Sequence, residues 1–284
     1  MLLWSTVASA FKLSLRHMDV AQLLFYSSLV ATVALGVTVI ATGRLGALRE
    51  ALGGLKLSIL LGFFNPFLYY AVLFEAYDLL PAQVAQPLNY TWAIALALLS
   101  VPILKQRIGW REIVGGLVSY SGVVVIFTRG DIVSFRAASP LGVVLALAST
   151  VVWALYWILN TRDTRDSVVR LFLNFSFGLP MTLVYCLAVS SLRLDGLAGL
   201  AGAAYVGLVE MAAAFVLWLR ALRLSENTAK VGNLIFISPF VSLVFIRTLV
   251  GEEILGATIA GLVLVVAGMA VQRVKARTPR TVGG

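Results

Sequence analysis

Gln83, Gln86 and Tyr90 fall at i, i+3 and i+7 of one apolar stretch, so a single helix face carries two amides and a phenol, with Asn89 and Trp92 on its flank. These side chains hydrogen-bond and stack; none is a nucleophile or a strong acid or base. The chemistry they offer is ligand recognition. Pro66 and Pro87 interrupt the surrounding segments, and each removes a backbone donor, releasing the carbonyls of Gly62 and Gln83 from helical bonds. A more ordinary use of the same face is interhelical hydrogen bonding, worth about 0.6 to 2 kcal/mol per contact.

The elements that position these residues must lie in lipid. Hydrophobic residues make up 60% of the chain and charged residues 12%, with a mean hydropathy of +0.96, whereas soluble domains carry about 25% charged residues. An all-α integral membrane protein follows. Its 284 residues accommodate about ten spans of roughly 20 residues. Apolar windows place them at Met1–Leu15, Val20–Ala41, Leu57–Tyr77, Leu80–Val101, Trp110–Thr128, Pro140–Asn160, Ser167–Val189, Gly199–Leu219, Val231–Val250 and Leu255–Gln272. The first segment is short and lacks a clear small-residue cleavage site; it reads as a retained signal anchor, and a native start upstream of Met1 would lengthen it. Residues 275–284 read as a disordered cytoplasmic tail.

The formal charge of +9 is spread over many short loops, which argues against a nucleic-acid partner and for membrane orientation. With both termini inside, sixteen of the 22 Lys and Arg residues, among them Arg44, Lys56, Arg111, Arg165, Arg170 and Arg220, fall in cytoplasmic loops. An odd number of spans would scramble that alternation.

The two halves, 1–128 and 140–274, resemble each other. Ile108, Ile113, Gly115 and Gly122 match Ile254, Ile259, Gly261 and Gly268 at one shift, and near it Glu75 and Asp78 align with Arg220 and Arg223 while Arg107 aligns with Glu253. Acid and base exchange places. Five spans per half make the second unit enter the membrane in the opposite sense, and the positive-inside bias then forces such an exchange. Two inverted five-helix repeats are the expected fold, with a binding site near the midplane and alternating access by rocking. Asn233, Ser238 and Pro239 in the ninth span answer the polar and proline positions of the fourth. Trp153 answers Trp4, with Tyr156 and Trp157 one turn on. The seven-residue glycine spacing of the fifth and tenth spans assigns those two to scaffold or homodimer contact.

An ionisable group at the bilayer centre costs at least about 2.5 to 3.5 kcal/mol, and only Glu210 sits near mid-span. It suits a substrate ammonium, a coupling proton or a bond to a neighbouring helix. No Lys or Arg lies deep, which disfavours phosphorylated sugars and organic anions as ligands. Tyr69, Tyr70, Tyr90 and Trp92 lie near mid-span, where stacking on a flat side chain adds about 0.5 to 1.5 kcal/mol. Trp110 and Trp218 read as interfacial belt residues. Enzymatic chemistry has little to work with: His17 is the single histidine and falls in a loop, Cys186 has no partner cysteine, and no Gly-x4-Gly-Lys loop is present. No cofactor or metal is expected.

Trp4-Ser5, the run SENTAKVGNLIFISPFVSLVF, the following VGEEI and the later GLVLVVAG resemble the drug/metabolite transporter superfamily in its EamA-type ten-helix form. NPFLYYAVLFEAY and PLNYTWAIALALLSVPILKQRIGW look like the aromatic amino acid exporters of the YddG type. The first half departs from the family's glycine-glutamate pair before the fifth span, carrying Lys105-Gln106-Arg107 instead. The resemblance implies export of aromatic or neutral amino acids across the bacterial inner membrane. Together these readings nominate Tyr69, Gln83, Gln86, Asn89, Tyr90, Trp92, Trp153, Trp157, Glu210 and Asn233 as substrate-binding. An efflux carrier for lipophilic cations and a non-transporting receptor or scaffold are the alternatives.

Overall fold

Residues 2–105, 110–130, 139–160, 163–194, 196–224 and 238–273 are described by the computed structural model. Every regular element among them is helical: α1 (Leu2–Ser14), α2 (Val20–Ala41), α3 (Leu45–Leu79), α4 (Ala82–Leu104), α5 (Trp110–Phe127), α6 (Pro140–Asn160), α7 (Ser167–Val189), α8 (Leu197–Tyr205, continuing through Val206–Ala214 and Phe215–Leu224), α9 (Ser238–Val250) and α10 (Gly256–Arg273). Six of these, α2, α3, α4, α6, α7 and the Leu197–Trp218 part of α8, are long and apolar enough to cross a membrane. Shorter apolar stretches lie at Ile113–Ile126, Ser238–Val250 and Gly256–Val271. Val33, Val37, Ile40, Leu117, Val184 and Leu187 stand exposed on the outer faces, a surface that water would penalise and lipid does not.

Two helices depart from the spans expected from sequence. α3 starts at Leu45, twelve residues before the anticipated Leu57, because LGALREA folds as a short amphipathic helix. Its apolar side, with Leu48 and then Leu55, packs on Phe172, Leu173 and Phe177 of α7. The Arg165 guanidinium satisfies the carbonyls at its end, donating to Ala51 O at 3.3 Å and Gly54 O at 3.4 Å. α4, expected from Leu80 with an interruption at Pro87, is two helices, Ala82–Tyr90 and Trp92–Leu104, joined at Thr91, and Pro87 sits inside the first of them. Residues 231–237 of the ninth expected span lie outside the described residues.

α3 kinks where the sequence placed Pro66. The residue before a proline is driven out of helical geometry by the ring, and Asn65 adopts φ −146°, ψ 115° within the widened turns Phe63–Leu68. The kink nests against α7 through Gly62 and Gly178: a Cβ on Gly178 would lie 2.8 Å from both Pro66 Cγ and Gly62 O. α8 carries a comparable run of wide turns at Val206–Ala214.

Contacts between helices follow a regular plan. α1 packs on α8 and α9, and α6 packs on α3 and α4; α2 packs on α8, and α7 on α3; α2 pairs with α7, and α5 with α10. Each of these contacts reappears when helix numbers shift by five, while α2–α3 and α4–α5 have no comparable counterpart among the described residues. The α5–α10 pair meets backbone to backbone. A Cβ on Gly122 would fall 2.9 Å from Val265 N, one on Gly268 would fall 2.6 Å from Ser119 N, and Ser119 Oγ donates to Val265 O at 3.0 Å.

Networks tie the halves together at both ends. At one end Glu252 accepts from Ala82 N at 2.8 Å and Gln83 N at 3.1 Å, capping the start of α4. At the other, Arg44 pairs with Asp166, whose carboxylate also caps α7 through Val168 N and Val169 N, and Arg165 holds Asp163 and Ser58.

Candidate functional site

Five helices converge on one central cavity of about 110 Å³, comparable with the ~150 Å³ that accepts one benzene ring. α1 contributes Trp4, Val7, Ala8 and Phe11, a stripe at i, i+3, i+4 and i+7. α3 contributes Tyr69, Leu73 and Tyr77 beyond its kink, α4 contributes Gln86, Asn89, Tyr90 and Trp92, and α6 contributes Trp153 and Trp157. α8 supplies Glu210, Phe215 and Trp218. The aromatic wall is continuous. Trp153 stacks on Tyr69 at 4.4 Å between ring centroids and on Tyr156 at 5.3 Å, and Trp4 meets Trp218 edge-on at 5.4 Å.

Eight of the ten nominated residues, Tyr69, Gln86, Asn89, Tyr90, Trp92, Trp153, Trp157 and Glu210, line this cavity. Gln83 does not. Its amide is consumed at the end of α4, where Nε2 donates to Glu253 O at 2.6 Å and Oε1 accepts from Leu255 N at 3.1 Å and Thr258 Oγ1 at 3.0 Å. Asn233 lies outside the described residues. Trp218, expected in the interfacial belt and standing at the end of its span, also lines the cavity, where it meets Trp4 edge-on. Phe11, Tyr77 and Phe215 were not singled out from sequence. For Phe11 the signal was available, since the stripe begun by Trp4 ends on it.

Hydrogen bonding divides the polar residues into those already engaged and those still open. Asn89 is engaged: Oδ1 accepts from Tyr69 OH at 3.3 Å and Nδ2 donates to Ser149 Oγ at 3.0 Å, so it positions the Tyr69 ring. Glu210 is half engaged. Its Oε1 accepts from Tyr70 OH at 3.2 Å, the Trp4 side chain also reaches the carboxyl, and Oε2 is buried with no hydrogen bond of good geometry. Gln86 Oε1 and Trp157 Nε1 are likewise buried and open. A buried polar group left unpaired costs about 1 to 3 kcal/mol, so a ligand that completes these three atoms gains what the empty site lacks. No group of three or more His, Cys, Asp or Glu side chains able to hold a metal ion is present among the described residues.

Five helices, four of them of membrane-crossing length, around an aromatic cavity with one buried carboxylate define a multi-pass membrane protein built to hold a small molecule. The chain belongs to the EamA-like transporter family, which it matches over residues 1–128 and 140–272. It is thus a membrane transporter, not an enzyme. An uncharacterized transporter of Archaeoglobus fulgidus is 25% identical over 95% of this chain and 93% of its own length. The uncharacterized inner membrane transporter YhbE of Escherichia coli K12 is 25% identical over 55% of this chain and 49% of its own, so that match spans about half of that relative. A probable terminal-alkyne amino-acid exporter of Streptantibioticus cattleyicolor is 27% identical over 94% of this chain and 88% of its own. A solved crystal structure shares the fold, with a TM-score of 0.68 at 21% identity over 96% of this chain and 93% of that one.

Proposed function

We propose that the protein exports aromatic or other neutral amino acids from the cytoplasm across the bacterial inner membrane by alternating access. The observation that carries this reading is the pair of open acceptors, Glu210 Oε2 and Gln86 Oε1, inside an aromatic cavity. Such a site wants a ligand with several N–H donors and a positive charge at one end and a flat or apolar body at the other. An α-ammonium with an aromatic or aliphatic side chain meets both demands. Stacking of the side chain on the Trp and Tyr wall adds about 0.5 to 1.5 kcal/mol, and the ammonium gains a charge-assisted bond. The Streptantibioticus relative, named a probable amino-acid exporter, supports the same class.

Ten spans arranged as two inverted five-helix units, with both termini cytoplasmic, supply the mechanism. Support comes from the contact plan that repeats on a shift of five helices and from the loop charges that exchange sign between halves. One unit rocks on the other, exposing the cavity first to one side and then to the other, and the networks at the two ends of the bundle break and form in alternation. A lipophilic-cation carrier is the second reading, favoured by Glu210 being the one charged group among the described residues lining the cavity.

Counterflow of labelled phenylalanine in proteoliposomes tests the proposal. Saturable exchange, competed by tryptophan and leucine, is the expected result. Flux of a cationic dye without amino acid flux selects the second reading, and absence of both overturns the two and points to a transporter of another substrate class.

A further inference from the structure

Beside the aromatic cavity, and sharing Trp157 and Phe215 with it, lies a second void of about 10 Å³ bordered by Tyr156, Asn160 and Arg170. That is room for about one water or one ligand oxygen. The groups around it are poor in negative charge. Trp157 Nε1 can only donate and has no acceptor. Asn160 is 7% exposed with its Oδ1 unpartnered; its carboxamide also reaches the Tyr156 side chain, and it presents either the oxygen or the NH2 to the void on a flip. Arg170 directs Nη1 to the backbone carbonyls of Asp163 at 2.6 Å and Asn160 at 3.5 Å. The Asp163 carboxylate is near enough to attract Arg170, but its hydrogen bonds go to Arg165, at 2.5 and 2.8 Å. Among the described residues no carboxylate lies within 4.0 Å of Arg170.

A buried indole donor and a guanidinium that makes no close ion pair, its nearest carboxylate being hydrogen-bonded to Arg165, stand at the edge of a cavity that already offers acceptors for a cation, and together they suit an acceptor carrying negative charge. We propose that Trp157, Asn160 and Arg170 form a carboxylate subsite that receives the α-carboxylate of the transported amino acid; this rests on the amino acid reading above. The two stations divide a zwitterion between them. Glu210 and Gln86 take the ammonium, the aromatic wall takes the side chain, and the small void admits a carboxylate oxygen and nothing larger. A lipophilic cation satisfies the first station and leaves the second empty, so the subsite also sets the specificity of the carrier. Little in the residue pattern announced it, because Arg170 stands in the first turn of α7 and reads there as one more cytoplasmic charge.

The test compares phenylalanine with phenethylamine, which keeps ring and ammonium and lacks the carboxylate, as competitors of labelled phenylalanine counterflow by the wild type, Trp157→Phe and Arg170→Gln. Trp157→Phe keeps a ring and removes only the donor, which covers the case in which Arg170→Gln fails to fold through loss of its bonds to the α6–α7 loop. In the wild type phenylalanine competes about tenfold better than phenethylamine, the effect of one charge-assisted bond. In either variant the affinity for phenylalanine falls by about that factor, phenethylamine is unchanged and the preference disappears. A wild type that transports phenylalanine but binds the amine equally well overturns the subsite and leaves the amino acid reading standing, as do variants that lose both ligands equally or keep the full preference. A wild type that takes no amino acid overturns both.

Discussion

Replacing Glu210 by Gln preserves the shape of the side chain and removes its charge. Tyr70 OH, 3.2 Å from Oε1, keeps an acceptor or gains a donor through rotation of the amide, so the α3–α8 contact survives. The unpartnered Oε2 becomes part of a neutral amide. A hydrogen bond to a charged group contributes about 1.5 to 3 kcal/mol and one between neutral groups about 0.5 to 1.5. The difference, ~1 to 2 kcal/mol, corresponds to a rise of roughly 5- to 30-fold in the half-saturating concentration of an ammonium-bearing substrate. The assay is counterflow of labelled phenylalanine over a concentration series, at matched amounts of reconstituted protein whose thermal unfolding in detergent equals that of the wild type. An unchanged half-saturation with normal flux refutes the reasoning and reduces Glu210 to a partner of Tyr70.

Three further outcomes follow from the same geometry. Trp92→Ala weakens phenylalanine and tryptophan by about 2- to 10-fold, the value of one stacking contact, and leaves alanine unaffected in a competition assay; equal losses argue against stacking. Gly122→Leu forces α5 and α10 apart, since its Cβ would meet Leu264 Cβ and Val265 N at 2.9 Å. It lowers stability by about 1 to 3 kcal/mol, seen as a reduced unfolding temperature in detergent, and leaves half-saturation unchanged because neither helix lines the cavity. Burial pushes the Asp163 and Asp166 carboxyls up, but Arg165 for the first, and the α7 backbone N–H groups with Arg44 for the second, more than offset it and hold both below their ordinary value of 3.8. Their stabilisation is therefore complete above that value and is lost as pH falls through the lower folded values. Unfolding temperature against pH shows this loss at the acid end, and Asp163→Asn with Asp166→Asn flattens it; a double variant with an unchanged acid limb contradicts the assignment.

Local chemistry was legible in the sequence, and partner choice was not. Pro66 announced the break in α3, where the residue before it leaves helical geometry, whereas Pro87 stays inside a helix and the break in α4 falls at Thr91. The seven-residue spacing of Gly115 and Gly122 announced a close helix contact. Gln83, Gln86 and Asn89 looked equivalent on one helix face. What separates them is their partners: Glu253 and Thr258 for Gln83, Ser149 for Asn89, and none for Gln86 Oε1. Those partners lie 60 to 175 residues away, and no helical period reports on them. The cavity contact of Trp218 was missed for a related reason. A tryptophan near the end of a span sits equally well among lipid headgroups or against another ring, and only the position of Trp4 decides.

The central claim is that the aromatic cavity holds an amino acid by its ammonium at Glu210 and Gln86. A structure of the wild-type protein with bound phenylalanine tests it most directly. The account predicts the ring between the Trp and Tyr side chains and the ammonium at about 3 Å from Glu210 Oε2 and Gln86 Oε1. Phenylalanine bound elsewhere, or in the cavity with its ammonium turned away from Glu210, contradicts it.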